Sequence, residues 1–369
     1  MNKKVSLYRC DNYSTDQILP LVRKMYHDCA APDVKGKRVL VKPNILSDQQ
    51  PEKAVTTHPA VLEAVIRFLQ EEGAARVVVG DAPAMHNKNF KPQKCGIYEV
   101  CQQTGAEWAC FGQAYSEMPI GKRNVHIADA YRECDLLISL PKLKTHGFMI
   151  MTCGIKNTFG LIPNLHKAKQ HAIHNNAGTF ASFLVDLNEA TIPHFILTDA
   201  IVGMEGEGPS NGFPKKLGAL FASVNPLALD IAAARLIGHN PAEIPTNAEA
   251  IKRGKWLGSY DAVEYVGDNI DELCCANFKR VERSGIDRIM LRYVIKHVPF
   301  LRKLQRRPKF DSSRCVGCKA CIRICPQGIL TLNPNKPNRV TIDDDACIRC
   351  FCCQEVCMSD AIKIQGLFA

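Results

Sequence analysis

Nine of the eighteen cysteines in this 369-residue chain fall between positions 315 and 357. Their spacing is what first suggests chemistry. Cys315, Cys318, Cys321 and Cys325 form a C-x2-C-x2-C-x3-C run, and Cys347, Cys350, Cys353 and Cys357 repeat it. A run of this kind brings three thiolates from one tight turn to three corners of a four-iron cubane and sends the fourth toward a sister cluster. Ligation is therefore expected to cross: Cys315, Cys318 and Cys321 with Cys357, and Cys347, Cys350 and Cys353 with Cys325. Two [4Fe-4S] clusters held this way would accept and release single electrons. Paired C-x2-C also makes zinc ribbons, but duplicated four-cysteine runs fit cubanes better. Dense cysteine without an export signal points to metal binding in a reducing compartment, not to disulfides.

Each run is followed by an apolar stretch, Gly328-Ile329-Leu330 and Ala361-Ile362-Lys363-Ile364, as a pseudo-two-fold pair of hairpins requires. In this the segment closely resembles bacterial two-cluster ferredoxins. It departs from the template at Met358, where the first half has Pro326, and at Cys352, an extra thiol read as a buried free cysteine.

What precedes the cysteine runs must supply whatever the electrons act on. From residue 36 onward short apolar strands alternate with helix-period segments, the pattern of an α/β fold whose mostly parallel sheet is covered by helices in Rossmann-like layers, with a small α+β ferredoxin domain at the C-terminal end. Strands are expected at 38–41, 76–80, 135–140, 194–198 and 217–223. A helix opens at Thr57-His58-Pro59 and stops at Gly73, and another runs from Asn225-Pro226 toward Ile237. Ligands in such sheets bind beyond the carboxyl ends of the strands. Those ends carry Lys42 and Asn44, Asp81, Lys144 and His146, and Asp199. Lys156 and Asn157 follow in a glycine-bounded loop, and Glu205 stands in the acidic loop 203–209, which would suit a lid or a cation contact. These nine residues are the candidate catalytic and binding groups. The lysines would orient an anion, and His146, Asp81, Asp199 or Glu205 would move protons. His171 and His174 could share a helix face and bind a metal. Cys153 reads as a structural thiol. No P-loop and no complete G-x-G-x-x-G is present.

The segments Lys42-Pro43-Asn44, Thr57-His58-Pro59, Gly80-Asp81, 139–146, Lys156-Asn157 with Gly160, Asp199, and Glu205-Gly206 with Gly208-Pro209 resemble the domain-of-unknown-function 362 family over roughly residues 36 to 270. The resemblance implies an architecture in which ferredoxin tails are common. It implies no reaction.

Residues 279–309 hold eleven Lys and Arg against Glu282 and Asp287, most of the chain's formal net charge of +10. Apolar residues at helical spacing there predict a basic amphipathic connector, able to dock an acidic redox partner of the ferredoxin or flavodoxin kind or to touch an anionic membrane surface. Few aromatics and no reader motif argue against nucleic acid. Division is thus expected into 1–278, 279–309 and 310–369. A composition of 46% hydrophobic and 23% charged residues is that of an ordinary globular protein. With no apolar run long enough to span a bilayer, a cytoplasmic protein is expected.

Taken together, these features predict an iron–sulfur reductase passing electrons to a small, anionic substrate or second cofactor of unknown identity at the strand ends. The alternatives are an electron carrier or adaptor for a partner enzyme, and a metal-centre maturation factor using His146, His166 and His171.

Overall fold

The computed structural model describes residues 2–83, 89–280 and 306–366. Ten strands form the main sheet: β1 (Lys4–Arg9), β2 (Arg38–Pro43), β3 (Arg76–Asp81), β4 (Glu107–Cys110), β7 (Leu136–Leu140), β8 (Lys142–His146), β9 (Ile150–Thr152), β10 (Phe195–Glu205), β11 (Phe213–Ser223) and β12 (Glu264–Gly267). A side hairpin joins β5 (Tyr115–Ile120) to β6 (Arg123–Ala128). The sheet order is β12-β1-β11-β10-β7-β2-β3-β4. All neighbours on this path are parallel except β11, which runs antiparallel to both β10 and β1. Helices cover both faces, so β2, β3 and β7 are almost wholly buried runs of Val, Leu and Ile, as strands packed on two sides must be.

Two helices show the start signals at work. Pro59 opens the helix Pro59–Glu71, its cap His58 accepting from the Ala60 N–H through Nδ1 at 3.2 Å, and Val61, Leu62, Val65, Ile66 and Leu69 bury one face. Gly73, at φ +81°, ends it. Asn225 caps Pro226–Leu236, its Oδ1 accepting from the Leu227 and Ala228 N–H groups at 3.1 Å each.

Two features place the site. The strand expected at 194–198 runs on to Glu205, through an irregularity between Ala200 and Val202. Its first residues pair with β7 and its later ones with β8, Asp199 opposite Lys142 and Met204 opposite Lys144. Residues 142–146, expected as a polar strand end, are themselves a strand. Alternation puts Lys142, Lys144 and His146 on one face, and all three are buried.

The cysteine-rich region adds β13 (Arg307–Phe310), β14 (Leu330–Asn333), β15 (Lys336–Ile342) and β16 (Ile362–Gln365), paired β13 with β16 and β14 with β15. Its first strand thus begins three residues before the expected boundary at 310, because Arg307 pairs with Gln365. Backbone conformation repeats with the cysteines: Gly317 and Arg349 lie at φ +67° and +58°, and Lys319 and Phe351 both at +61°. Left-handed residues at matching positions bend each run into the same tight turn. Of the basic connector, residues 281–305 lie outside the described residues. Lys279 and Arg280 at its start are anchored, the Lys279 N–H to Glu205 Oε2 at 2.8 Å and the Arg280 guanidinium to the Gly238 carbonyl.

Candidate functional site

Five of the nine candidate residues form one network at the ends of β2, β3 and β8. The Lys42 ammonium stands 3.0 Å from Asp81 Oδ1, donates to the Pro43 carbonyl at 2.9 Å and reaches Asn157 Oδ1 at 3.3 Å. Asp81 also accepts from the Ile45 and Ala82 N–H groups at 2.6 and 2.8 Å. Asn44 Nδ2 donates to the same Asn157 Oδ1 at 3.3 Å, and Lys144 donates to Asn44 Oδ1 and the Val55 carbonyl, both at 2.7 Å. Asn157 is oriented from behind by donating to Ser139 Oγ at 2.9 Å. Burial lowers the pKa of Lys42, although Asp81 pulls it back up. Among the described residues, Lys144 has no carboxylate bonded to it. Burial, then the nearby Lys156 and Lys142, push its pKa well below the ordinary lysine value.

Lys42, Asn44, Asp81, Lys156 and Asn157 line a pocket with an empty volume of about 610 Å³, part of it open to solvent. Phe159, Gly160, Lys167 and His171 line it too. So do Ile324, Cys352 and Glu355 of the cysteine-rich region, which forms one wall. Ala168, Ile324 and Cys352 make an apolar seam between the two units. The Ser210 hydroxyl donates to the Glu355 carbonyl at 2.9 Å, and Gln49 Nε2 to the Met358 sulfur at 3.3 Å.

His146 joins from the β8 side. Its Nδ1 accepts from the Phe148 and Met149 N–H groups at 3.1 and 3.3 Å, which leaves the proton of the neutral ring on Nε2, 3.2 Å from Glu355 Oε1. Burial, then Lys156, lower the His146 pKa to about 4. Burial raises Glu355, but His146 and Lys156 beside it pull it down to about 2, so at neutral pH the histidine is uncharged and the carboxylate charged.

Asp199 and Glu205 lie elsewhere. Asp199 is a buried partner of Lys142 at 2.8 Å, accepts from Tyr13 OH at 2.9 Å and takes the His58 N–H at 2.9 Å. Glu205 holds the start of the connector. His171 and His174 stack separately on Phe180 and Phe183, with centroids 4.4 and 4.6 Å apart. His166 stacks on His126. The Cys153 thiol is buried beside Thr198, and burial pushes its pKa well up, which makes it a poor nucleophile. Sequence reasoning missed Thr152, Cys352 and Glu355 as pocket residues. Lys167 and His171 belong to the run His166, Lys167, Lys169, His171 and His174 that the sequence offers, after the 154–160 loop with Phe159, as cationic and hydrogen-bonding groups for a carboxylate or phosphate, and both line the pocket.

Cys325, Cys347, Cys350 and Cys353 line a single void of about 350 Å³ with Pro326, Ile329, Leu330, Ile342 and Cys352. Cys321 lies in the field of Cys318, Cys357 and Cys315. Four sulfur donors around an apolar hollow are the donor set a cubane requires. Among the described residues, no three His, Cys, Asp or Glu side chains converge closely enough to hold a single metal ion. Cys352 is buried, as expected, and lines both voids.

A sulfur-lined module seated beside the strand ends of a mostly parallel sheet, with a cationic pocket at the seam, defines an iron–sulfur electron-transfer protein on an α/β scaffold. The chain belongs to the family described as Domain of unknown function (DUF362), which matches residues 39–235, and carries a 4Fe-4S dicluster domain at 314–361. A thylakoid-associated protein of Synechocystis sp. is 32% identical over 259 residues, 69% of this chain and 80% of that protein. The cysteine-rich region alone is similar to the beta subunit of adenylylsulfate reductase from Megalodesulfovibrio gigas, 35% identical over 60 residues, or 15% of this chain and 36% of that one. It is also similar to pyruvate synthase subunit PorD from Methanothermobacter marburgensis, 36% identical over 59 residues, or 16% and 65%. The lactate racemase apoprotein of Thermoanaerobacterium thermosaccharolyticum overlays 60% of this chain and 54% of its own at a TM-score of 0.40 and 14% identity. Among the described residues no helix is long and apolar enough to cross a membrane.

The buried histidines give the fold a pH dependence. His146 and His171, whose pKa values burial lowers to about 4 and about 3, bind protons more readily in the unfolded chain. Their contribution is therefore complete above the ordinary histidine value and is lost as pH falls below it. Between pH 7 and 5.5 each should cost about 1 kcal/mol. Unfolding free energies from denaturant titration should fall between the two pH values by that much more in the wild type than in His146→Gln. An equal fall in both would contradict the assignment.

Proposed function

We propose that this protein is a reductase in which single electrons reach a small anionic molecule held in the pocket between the sheet and the cysteine-rich module. The observation that carries this reading is that Cys352 and the helix it begins (Cys352–Glu355) form a wall of that pocket, while Cys352 also lines the hollow of Cys325, Cys347, Cys350 and Cys353. One [4Fe-4S] cluster would be held by those four cysteines and a second by Cys315, Cys318, Cys321 and Cys357. When bound, they would supply electrons one at a time. The chain's own residues do the rest. Lys42, fixed by Asp81 and Asn157, and Lys156 and Lys167 present positive charge to the ligand. Burial lowers the Lys167 pKa to about 8, within reach of neutral pH, so its ammonium can give a proton as negative charge develops on the acceptor. Each step thus reduces the acceptor by one electron and leaves Lys167 to be reprotonated from solvent.

The electrons would come from an acidic one-electron carrier protein of the ferredoxin or flavodoxin type. Val316, beside Cys315, is 74% exposed, Cys318 is exposed, and Lys319 and Arg323 add positive charge on the same turn and helix. Reduction by a flavodoxin should slow as salt rises, and Val316→Glu should slow it about tenfold while leaving reduction by dithionite unchanged. Equal rates with flavodoxin would remove this entry point.

The pocket reading is tested by mixing anaerobically reduced, desalted protein with the low-molecular-weight fraction of a cell extract and following visible absorbance. Reoxidation should be at least about tenfold faster in the wild type than in Lys42→Met, while methyl viologen radical exchange stays the same in both. Equal reoxidation in the two proteins would sink the reading.

A further inference from the structure

Buried polar atoms without partners are rare in folded proteins, yet two residues lining this pocket carry one each. Thr152 and His171 are both 3% exposed, and Thr152 Oγ1 and His171 Nδ1 have no hydrogen-bond partner among the described residues. The Lys156 ammonium, also on the pocket wall, makes no hydrogen bond or ion pair among the described residues and stands 5.7 Å from the centre of the Phe159 ring. The His171 ring cannot swing away to find a partner, because it is stacked on Phe180 and meets Phe159 edge-on with centroids 5.5 Å apart. The hydroxyl and the ring nitrogen can each donate to a ligand oxygen, and the ammonium supplies charge. Among the described residues, lysines 42, 156 and 167 line the pocket against two carboxylates, Asp81 and Glu355. A cation is therefore repelled, and a neutral molecule leaves one charge unbalanced.

We propose that Thr152, Lys156 and His171 form an oxyanion subsite, and that the pocket's ligand is a small carboxylate- or phosphate-bearing molecule whose apolar part packs against Ile45, Leu46, Phe159 and Ile324. This rests on the reductase reading for its place in the protein but is tested without it. Leaving the hydroxyl and the ring nitrogen unmet costs free energy that the ligand's oxygens return, so losing one donor weakens binding about tenfold.

Calorimetry on the cluster-loaded, oxidised full-length chain uses three probes: inorganic phosphate, acetate and, as the uncharged control, acetamide. At least one anion should bind while acetamide does not, and whichever anion binds identifies the head group. Thr152→Val and Lys156→Met should each weaken that binding about tenfold, and Thr152→Ser, which restores the hydroxyl, should recover most of the loss. Binding of neither anion, or equal affinity in the wild type and both variants, overturns the subsite. Anion binding that depends on Thr152 and Lys156, in a protein whose reoxidation does not depend on Lys42, supports the subsite and overturns the reductase reading instead.

Discussion

Gly160→Ala will lower the melting temperature by on the order of 10 °C and abolish ligand binding in the strand-end pocket. Gly160 lies against the buried Lys42–Asp81 pair, and a Cβ there would overlap the Asp81 carboxylate and the end of the Lys42 side chain. Both partners are essentially unexposed, with side-chain exposures of 0% and 3%. Both are held by further hydrogen bonds, Asp81 from the Ile45 and Ala82 N–H groups and Lys42 to the Pro43 carbonyl and Asn157, so the added methyl must part them, and splitting a buried pair costs about 3–5 kcal/mol. In a domain of this size each kcal/mol is worth about 2–4 °C. Asp81 would still hold the Ile45 and Ala82 N–H groups, but Lys42 would keep only neutral acceptors. Gly178→Ala, in the first turn of the helix Ala177–Ala190, is the control, since its Cβ would meet nothing closer than Asn176 Oδ1 at 3.4 Å. If the two variants melt within a degree of each other, the buried pair is not under the constraint described.

The crossed ligation proposed for the cysteines makes an equally large prediction for iron content. Cys325→Ala should reduce iron from about eight to about four per chain, because one of two four-iron clusters loses a corner. The double variant Cys325→Ala/Cys347→Ala should stay near four, since both residues belong to the same hollow. Cys357→Ala/Cys347→Ala should approach zero, because Cys357 stands with Cys321, Cys315 and Cys318. Ligation within each run would reverse the two doubles. Cys352→Ala should keep its iron.

What could be read from the sequence was what local chemistry determines. The eight-cysteine template carries its own spacing, and the buried strands β2, β3 and β7 announce themselves as apolar runs ending in Lys42, Asp81 and Pro141. Helix starts at Pro59 and Pro226 followed from caps and proline geometry. The strand β8 was illegible because Lys-Leu-Lys-Thr-His looks like a solvated loop. It is buried only because Asp199, Asn44 and Glu355, remote in sequence, meet its three polar side chains. The full length of β10 was hidden for a related reason, Asp199 reading as the polar end of a strand that in fact continues beyond it. Glu355 and Cys352 could not be assigned to the pocket from their own surroundings, since they reach it through the packing of one unit on another. Thr152 is an unremarkable residue in sequence and gains meaning only from its unmet hydroxyl.

The reductase proposal requires an iron–sulfur cluster across the Cys352 wall from the ligand pocket of the α/β domain. Anomalous diffraction at the iron edge from anaerobically grown, cluster-loaded crystals tests it directly. Two iron centres are expected, one among Cys325, Cys347, Cys350 and Cys353 with Cys352 and Glu355 between it and Lys156. Iron missing from that hollow, or a cysteine-rich module seated away from Lys42 and His146, would contradict it.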